Sequence, residues 1–256
     1  MYQMRDLLTP TAENLRQPAP SAIIRAALIT ALGFGVYGFT VGYWRSPMMG
    51  AYVALKMPLL ILLTLACNGL LNGLLGLLLG SGLGFKQSLH ALLTGFAITG
   101  LILGSVAPIA LFLAVNVPTY DSPQAATSHS AYLLTHVSLI GVAGLIGVAR
   151  LAKLLESYSP SRSIARATLA AWIAGNAFLG CQFSWVLRPF FGSPRLEVAF
   201  LRENPMQGNF YEAVWNALQH VCSGVRPDVM IFISLTTLTV IILIIQLRNQ
   251  YKQTKI

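Results

Sequence analysis

A chain of 256 residues with 55% hydrophobic and 10% charged residues, at a mean hydropathy of +0.66, is not a soluble globular protein. Soluble domains carry about 25% charged residues, and a solvated surface cannot be covered with far fewer. A net charge of +9 would suggest nucleic acid in a soluble chain, but here Lys and Arg gather at the ends of apolar segments, a topological pattern that argues against a nucleic-acid partner.

The first 21 residues are polar and proline-bearing, with no short apolar core beside a cleavage site, and read as a cytoplasmic tail. A spanning helix needs about 20 largely apolar residues. Six segments qualify: 22–44, 51–79, 88–115, 132–155, 164–187 and 229–247. Backbone groups in lipid must bond within their own segment, so the expected fold is all-α: a six-helix transmembrane bundle over residues 22–247, with a second tail at 248–256. An N-terminus inside puts eleven Lys and Arg on that side, Lys86, Arg150, Lys153 and Arg162 among them. Six fall outside: Arg45, Lys56, Arg188, Arg195, Arg202 and Arg226. This balance favours both termini in the cytoplasm.

In the first span GFGVYG, residues 33–38, matches the dinucleotide-binding GxGxxG pattern to the letter. That fingerprint needs a strand before it and a helix N-terminus with free N–H groups. Mid-way along an apolar helix, these glycines, with Gly38 and Gly42 at small-xxx-small spacing, form a groove for close helix approach instead. No cofactor is expected.

The second span holds NGLLNGLLG, residues 68–76. Gly69, Gly73, Gly76 and Gly80 share one helical face, and Asn68 and Asn72 stand one turn apart beside it. Two readings are open. Each amide can bond across to a neighbouring helix, at on the order of 0.6–2 kcal/mol. Alternatively the asparagines line a polar path, with Asn176, Gln182, His90, His136 and Thr94 as partners on other spans. The fourth span adds a glycine face of its own at Gly141, Gly144 and Gly147. His136, near the outer end of that span, reads as an interfacial hydrogen-bonder.

No Asp or Glu lies near the middle of a span, which disfavours proton-driven carriers and cation channels. No Ser-His pair, carboxylate dyad or HExxH helix is present, and Cys67, Cys181 and Cys222 form no CxxC pair. Neither catalysis nor a metal centre is expected.

The fifth span ends in GCQFSWVLRPFFGSP, residues 180–194. Arg188 follows Trp185 by about one turn, and Pro189 stops the helix because it lacks the next N–H. Arg188 suits a cation-π contact and a carboxylate partner such as Asp228 or Glu212, or else a snorkelling anchor at the lipid boundary. Within the outer connection, 188–228, residues 209–223 form an amphipathic helix opened by an Asn209–Glu212 capping box. It either lies flat at the outer boundary, with Tyr211 and Trp215 at headgroup depth, or caps the bundle.

YGFTVGYW, KMPLLILLTLACN, GSVAPIALFL and CQFSWVLRPFFGSP followed by NFYEAVWNAL resemble a widespread family of bacterial multi-pass membrane proteins, loosely related to the Yip (Ypt-interacting) family. The similarity runs from about Tyr37 to Leu218. Eukaryotic Yip proteins have five spans and associate with small GTPases and membrane trafficking. The resemblance implies a non-enzymatic organiser or adaptor. The expected partners are the lipid bilayer and other membrane protein chains; the alternative is a channel or carrier for a small or lipid-like solute.

Overall fold

The computed structural model describes residues 12–192, 197–212 and 215. These contain helices and turns but no strand, and five helices are long and apolar enough to cross a membrane: the protein is an all-α, multi-pass membrane bundle. A short helix α1 (Ala12–Arg16) precedes the five spans, α2 (Pro20–Tyr43), α3 (Pro47–Leu78), α4 (Phe85–Asn116), α5 (Ala125–Tyr158) and α6 (Arg162–Val186). This unit ends at Gln207, and residues from Gly208 onward belong to a separate one. The expected span 229–247 lies outside the described residues, as does most of the helix expected at 209–223.

Two of the five spans begin at a side-chain cap. Ser46 Oγ accepts the Met49 N–H at 3.0 Å, and Pro47 sits at a position whose N–H is unbonded in any helix. Ser161 Oγ accepts the Ile164 N–H at 3.3 Å in the same way. After α3 the chain reverses through Gly80 (φ +79°) and Gly82 (φ +75°), in the left-handed region open to glycine. The Ser81 N–H and Oγ–H both donate to the Gly76 carbonyl there, at 3.0 and 2.6 Å. Gly80 is thus a turn residue and not the fourth member of a packing face.

In lipid there is no hydrophobic force between helices, so they associate through van der Waals packing at small residues. α2 packs on α3 and α4, α5 on α4, and α6 chiefly on α3. A Cβ at Gly38 would lie 2.7 Å from the Val53 carbonyl oxygen and one at Gly42 2.5 Å from that of Met49, while Gly33 faces the backbone of Gly100. The glycines of GFGVYG therefore seat α2 against α3 and α4. Gly73 and Gly76 receive the start of α4 and the turn before it, their added Cβ atoms falling 2.8 Å from Phe85 Cα and 2.5 Å from the Leu83 oxygen. Outward, α2 presents Ile24, Leu28, Leu32 and Val36 in steps of four, an exposed apolar stripe of the kind a lipid-facing helix carries.

The loops after α3 and α5 share one end of the bundle, with Lys86, Arg150, Lys153 and Arg162 nearby. The loops after α2 and α4 and the end of α6 share the other.

Candidate functional site

Asn68 and Asn72 are buried, at 1% and 0% exposure, on the face of α3 that meets α6. At 1.5 Å per residue they lie about 8 and 14 Å from the midpoint of α3, toward its Gly80 end. Asn72 joins the two helices. Its side-chain oxygen accepts from Asn68 Nδ2 and Asn176 Nδ2, each at 3.4 Å, and its backbone oxygen accepts from the Trp172 indole N–H at 2.8 Å. Asn176 Nδ2 also donates to the Trp172 carbonyl at 2.8 Å. Gly175 permits the approach, since a Cβ there would meet Asn68 Nδ2 at 2.8 Å.

The structure thus brings together Asn68, Asn72 and Asn176 of the expected set. Gln182 lies about 9 Å further along α6, half-buried and outside this cluster. His90 is buried on α4, its backbone oxygen accepting from Thr94 Oγ1 at 2.8 Å. Among the described residues the cluster is only partly satisfied: Asn68 Oδ1, Asn72 Nδ2 and Asn176 Oδ1 are buried without a hydrogen-bond partner there, as is Thr168 Oγ1 on α6. Asn72→Ala removes the shared acceptor and is expected to lower the unfolding free energy by about 1 kcal/mol. Thermal unfolding in detergent measures this; a Tm equal to the parent's would mean that the amide bonds contribute nothing.

A cavity of about 350 Å³ lies beside the cluster, bounded by α2, α3, α4, α5 and α6. Phe34, Phe96, Val148 and Ile173 are among its walls, with Thr64, Thr99 and Asn176 its polar side chains. Neither Asn68 nor Asn72 lines it.

A second group of buried polar residues occupies the opposite half. His136 is fully buried: the Tyr37 hydroxyl lies 2.8 Å from its Nδ1, and the Tyr132 ring packs edge-on with centroids 4.3 Å apart. The histidine expected as a hydrogen-bonder is thus bonded inside the bundle. α5 begins at Ala125, before the apolar run does, so His136 is about 16 Å into the helix. Tyr132 in turn donates to the Thr40 carbonyl at 2.6 Å, fastening α5 to α2.

Lys56 is a residue whose surroundings sequence reasoning missed. Counted there only among the outer positive charges, it is 0% exposed, about 10 Å from the midpoint of α3. Its ammonium donates to the Pro189 carbonyl at 2.8 Å and faces the rings of Phe200 and Phe190, at 5.0 and 5.9 Å. No carboxylate pairs with it among the described residues. The chain after α6 folds back over α3 and α5, with His129 Nε2 2.9 Å from the Gly192 oxygen and Phe190, Phe191 and Val198 packed on the buried cluster of Val53 and Met57. Non-helical backbone at such depth is tolerated where protein covers it and its carbonyls find donors. The visible signal was a lysine inside an apolar run; its partner, across more than a hundred residues, was not legible.

At the end of α6 the Arg188 guanidinium stacks on Trp185 at 3.6 Å and donates to the Trp185 carbonyl at 2.6 Å. Trp185 Nε1 donates to the Gln207 carbonyl at 3.1 Å. In the second unit Glu212 N–H donates to Asn209 Oδ1 at 2.8 Å, the N-cap bond, and Glu212 Oε2 lies 3.4 Å from the Asn209 side-chain Nδ2 rather than on the backbone N–H that a full capping box uses. Tyr211 and Trp215 are exposed there, and Asp228 lies outside the described residues. Comparison with family models, with curated proteins and with solved structures finds no match for this chain.

Proposed function

We propose that this is a non-enzymatic scaffold or adaptor of the bacterial cytoplasmic membrane, with both termini in the cytoplasm, that engages another membrane protein chain through α5. The orientation rests on the excess of Lys and Arg at the Gly80 end. The observation that carries the reading is a division among the glycines. Those of α2 and α3 are occupied from within the chain, and Gly147 abuts Thr99, whereas among the described residues a Cβ at Gly141 or Gly144 would meet nothing within 4 Å, Gly144 on the wall of the cavity and Gly141 on the exposed face of α5. Glycine in a helix interior costs about 0.5–1 kcal/mol relative to Ala, and at Gly141 the described residues offer no contact in return. The burial of Asn68 and Asn72 away from the cavity supports packing over conduction.

The apolar cavity favours a second reading, carriage of a lipid-like solute, and one experiment separates the two. A photoreactive phenylalanine analogue at Gly141, outside the cavity, is expected to cross-link a second polypeptide in native membranes. Gly141→Leu is expected to abolish that partner's co-purification while leaving the Tm unchanged or raised by the equivalent of under about 1 kcal/mol. Adducts to lipid alone would overturn the scaffold reading.

A further inference from the structure

We propose that the cavity beside Asn176 is a seat for the terminal stretch of an acyl chain, belonging to a phospholipid that stays bound to the bundle. This goes beyond the scaffold reading and does not depend on it.

The cavity has glycine in three of its walls: Gly95 on α4, Gly144 on α5 and Gly180 on α6. Among the described residues an added Cβ would come no closer than 3.6 Å to any atom at Gly95 and 3.8 Å at Gly180, and would meet nothing within 4 Å at Gly144. Those are ordinary carbon contacts. Gly33, Gly38 and Gly42 are different, because the backbone of another helix occupies the place of their Cβ. Alanine at the three cavity positions would fit without strain and favour the helix by about 0.5–1 kcal/mol each, so glycine there keeps space open.

The walls determine what that space accepts. At 1.5 Å per residue Thr64, Thr99 and Asn176 lie within about 3 Å of the midpoints of α3, α4 and α6. Their protons are already given to the protein. Thr64 Oγ1 donates to the Leu60 carbonyl at 2.7 Å and Thr99 Oγ1 to that of Gly95 at 3.0 Å, while Asn176 Nδ2 serves the Trp172 carbonyl and Asn72 Oδ1. The Trp172 indole N–H, in the same wall, is spent on the Asn72 carbonyl. A phosphate, ester or carboxylate would therefore find no donor, and no charged side chain stands in the wall among the described residues. Hydrocarbon is what remains. At this depth the bilayer supplies chain ends and not headgroups. The 350 Å³ holds about a dozen heavy atoms at roughly the 30 Å³ that a water occupies in the liquid. Ile173 and Ala177, in the α6 wall, are exposed on the outer surface of the bundle, which gives a chain end a sideways route in. Leu92, Gly95 and Thr99 form a buried floor on α4.

That floor makes the test specific, because lipid around the outside of the bundle does not reach it. The full chain is placed in nanodiscs of dioleoyl phosphatidylcholine with one of two photoreactive phosphatidylcholines, bearing a diazirine either at the end of an acyl chain or beside the ester. Adducts are then mapped by mass spectrometry. The chain-end probe is expected to modify residues 92–99, and the ester-side probe to do so at least about fivefold less. Gly144→Leu fills the cavity, so it should keep or exceed the parent Tm and lower the 92–99 adducts by about fivefold or more. Adducts on Leu28 and Leu32, exposed on α2, should not change. Gly141→Leu should leave the 92–99 adducts at the parent level, so this seat and the α5 partner surface can fail separately. Absence of 92–99 adducts from the parent overturns the seat, and equal modification by both probes overturns the chain-end assignment. Adducts that persist undiminished in Gly144→Leu place the lipid elsewhere.

Discussion

Lys56→Ala is expected to lower the unfolding free energy by about 3 kcal/mol and to expose the connection after α6 to protease, whereas Lys56→Met costs about 1 kcal/mol. The difference follows from what each change leaves behind. Alanine removes the buried butyl stem and the ammonium that faces Phe190 and Phe200, and it strands the Pro189 carbonyl, whose donor stood at 2.8 Å. A hydrogen bond to a charged group contributes about 1.5–3 kcal/mol, and the lost side-chain volume adds a cavity term. Methionine fills the same space and relieves the desolvation of a buried ammonium, which offsets much of the orphaned carbonyl. Denaturant unfolding in mixed micelles gives the free energies; the cleavage rate within 197–207 reports whether the connection has lifted. Parent-like proteolysis of Lys56→Ala would show that Phe190, Phe191 and Val198 hold the segment unaided.

That residue also marks where the sequence stops being readable. Spanning helices announce themselves through apolar length, because lipid demands about 20 such residues in a row, and the starts of α3 and α6 are written locally in Ser46–Pro47 and Ser161. Their full extent is not, since polar residues such as Thr127, Ser128 and His129 continue α5 beyond the apolar run. Asn68 and Asn72 were conspicuous because an amide in an apolar run must find a partner, and Asn176 lay on a span that could provide one. Which acceptor each amide takes depends on helix rotation, which no single span encodes. Lys56 and His136 were harder still. Each sits near the end of an apolar run, where charge and aromatic polarity are ordinary, and only the fold-back of residues 188–192 and 197–200 and the early start of α5 enclose them.

Gly33→Leu is expected to prevent assembly of the bundle, a loss of about 3 kcal/mol or more, because its side chain would be driven into the backbone of Gly100 on α4. Neither α2 nor α4 can yield without separating, and rigid backbone lies on both sides of the contact. The two members of this pair are not equivalent. An added Cβ at Gly33 overlaps the Gly100 carbonyl, whereas one at Gly100 would lie 3.3 Å from a Phe34 ring carbon and 3.4 Å from the Ile29 and Thr30 oxygens. Gly33→Ala should therefore cost clearly more than Gly100→Ala, which needs only a small shift of a side chain. Monodispersity on gel filtration after detergent extraction, followed by thermal unfolding, ranks the variants. The order matters beyond stability: a glycine kept for a nucleotide would tolerate alanine in the empty bundle, and a glycine kept for a crossing helix would not. Equal Tm values for Gly33→Ala and the parent would remove the packing explanation for GFGVYG.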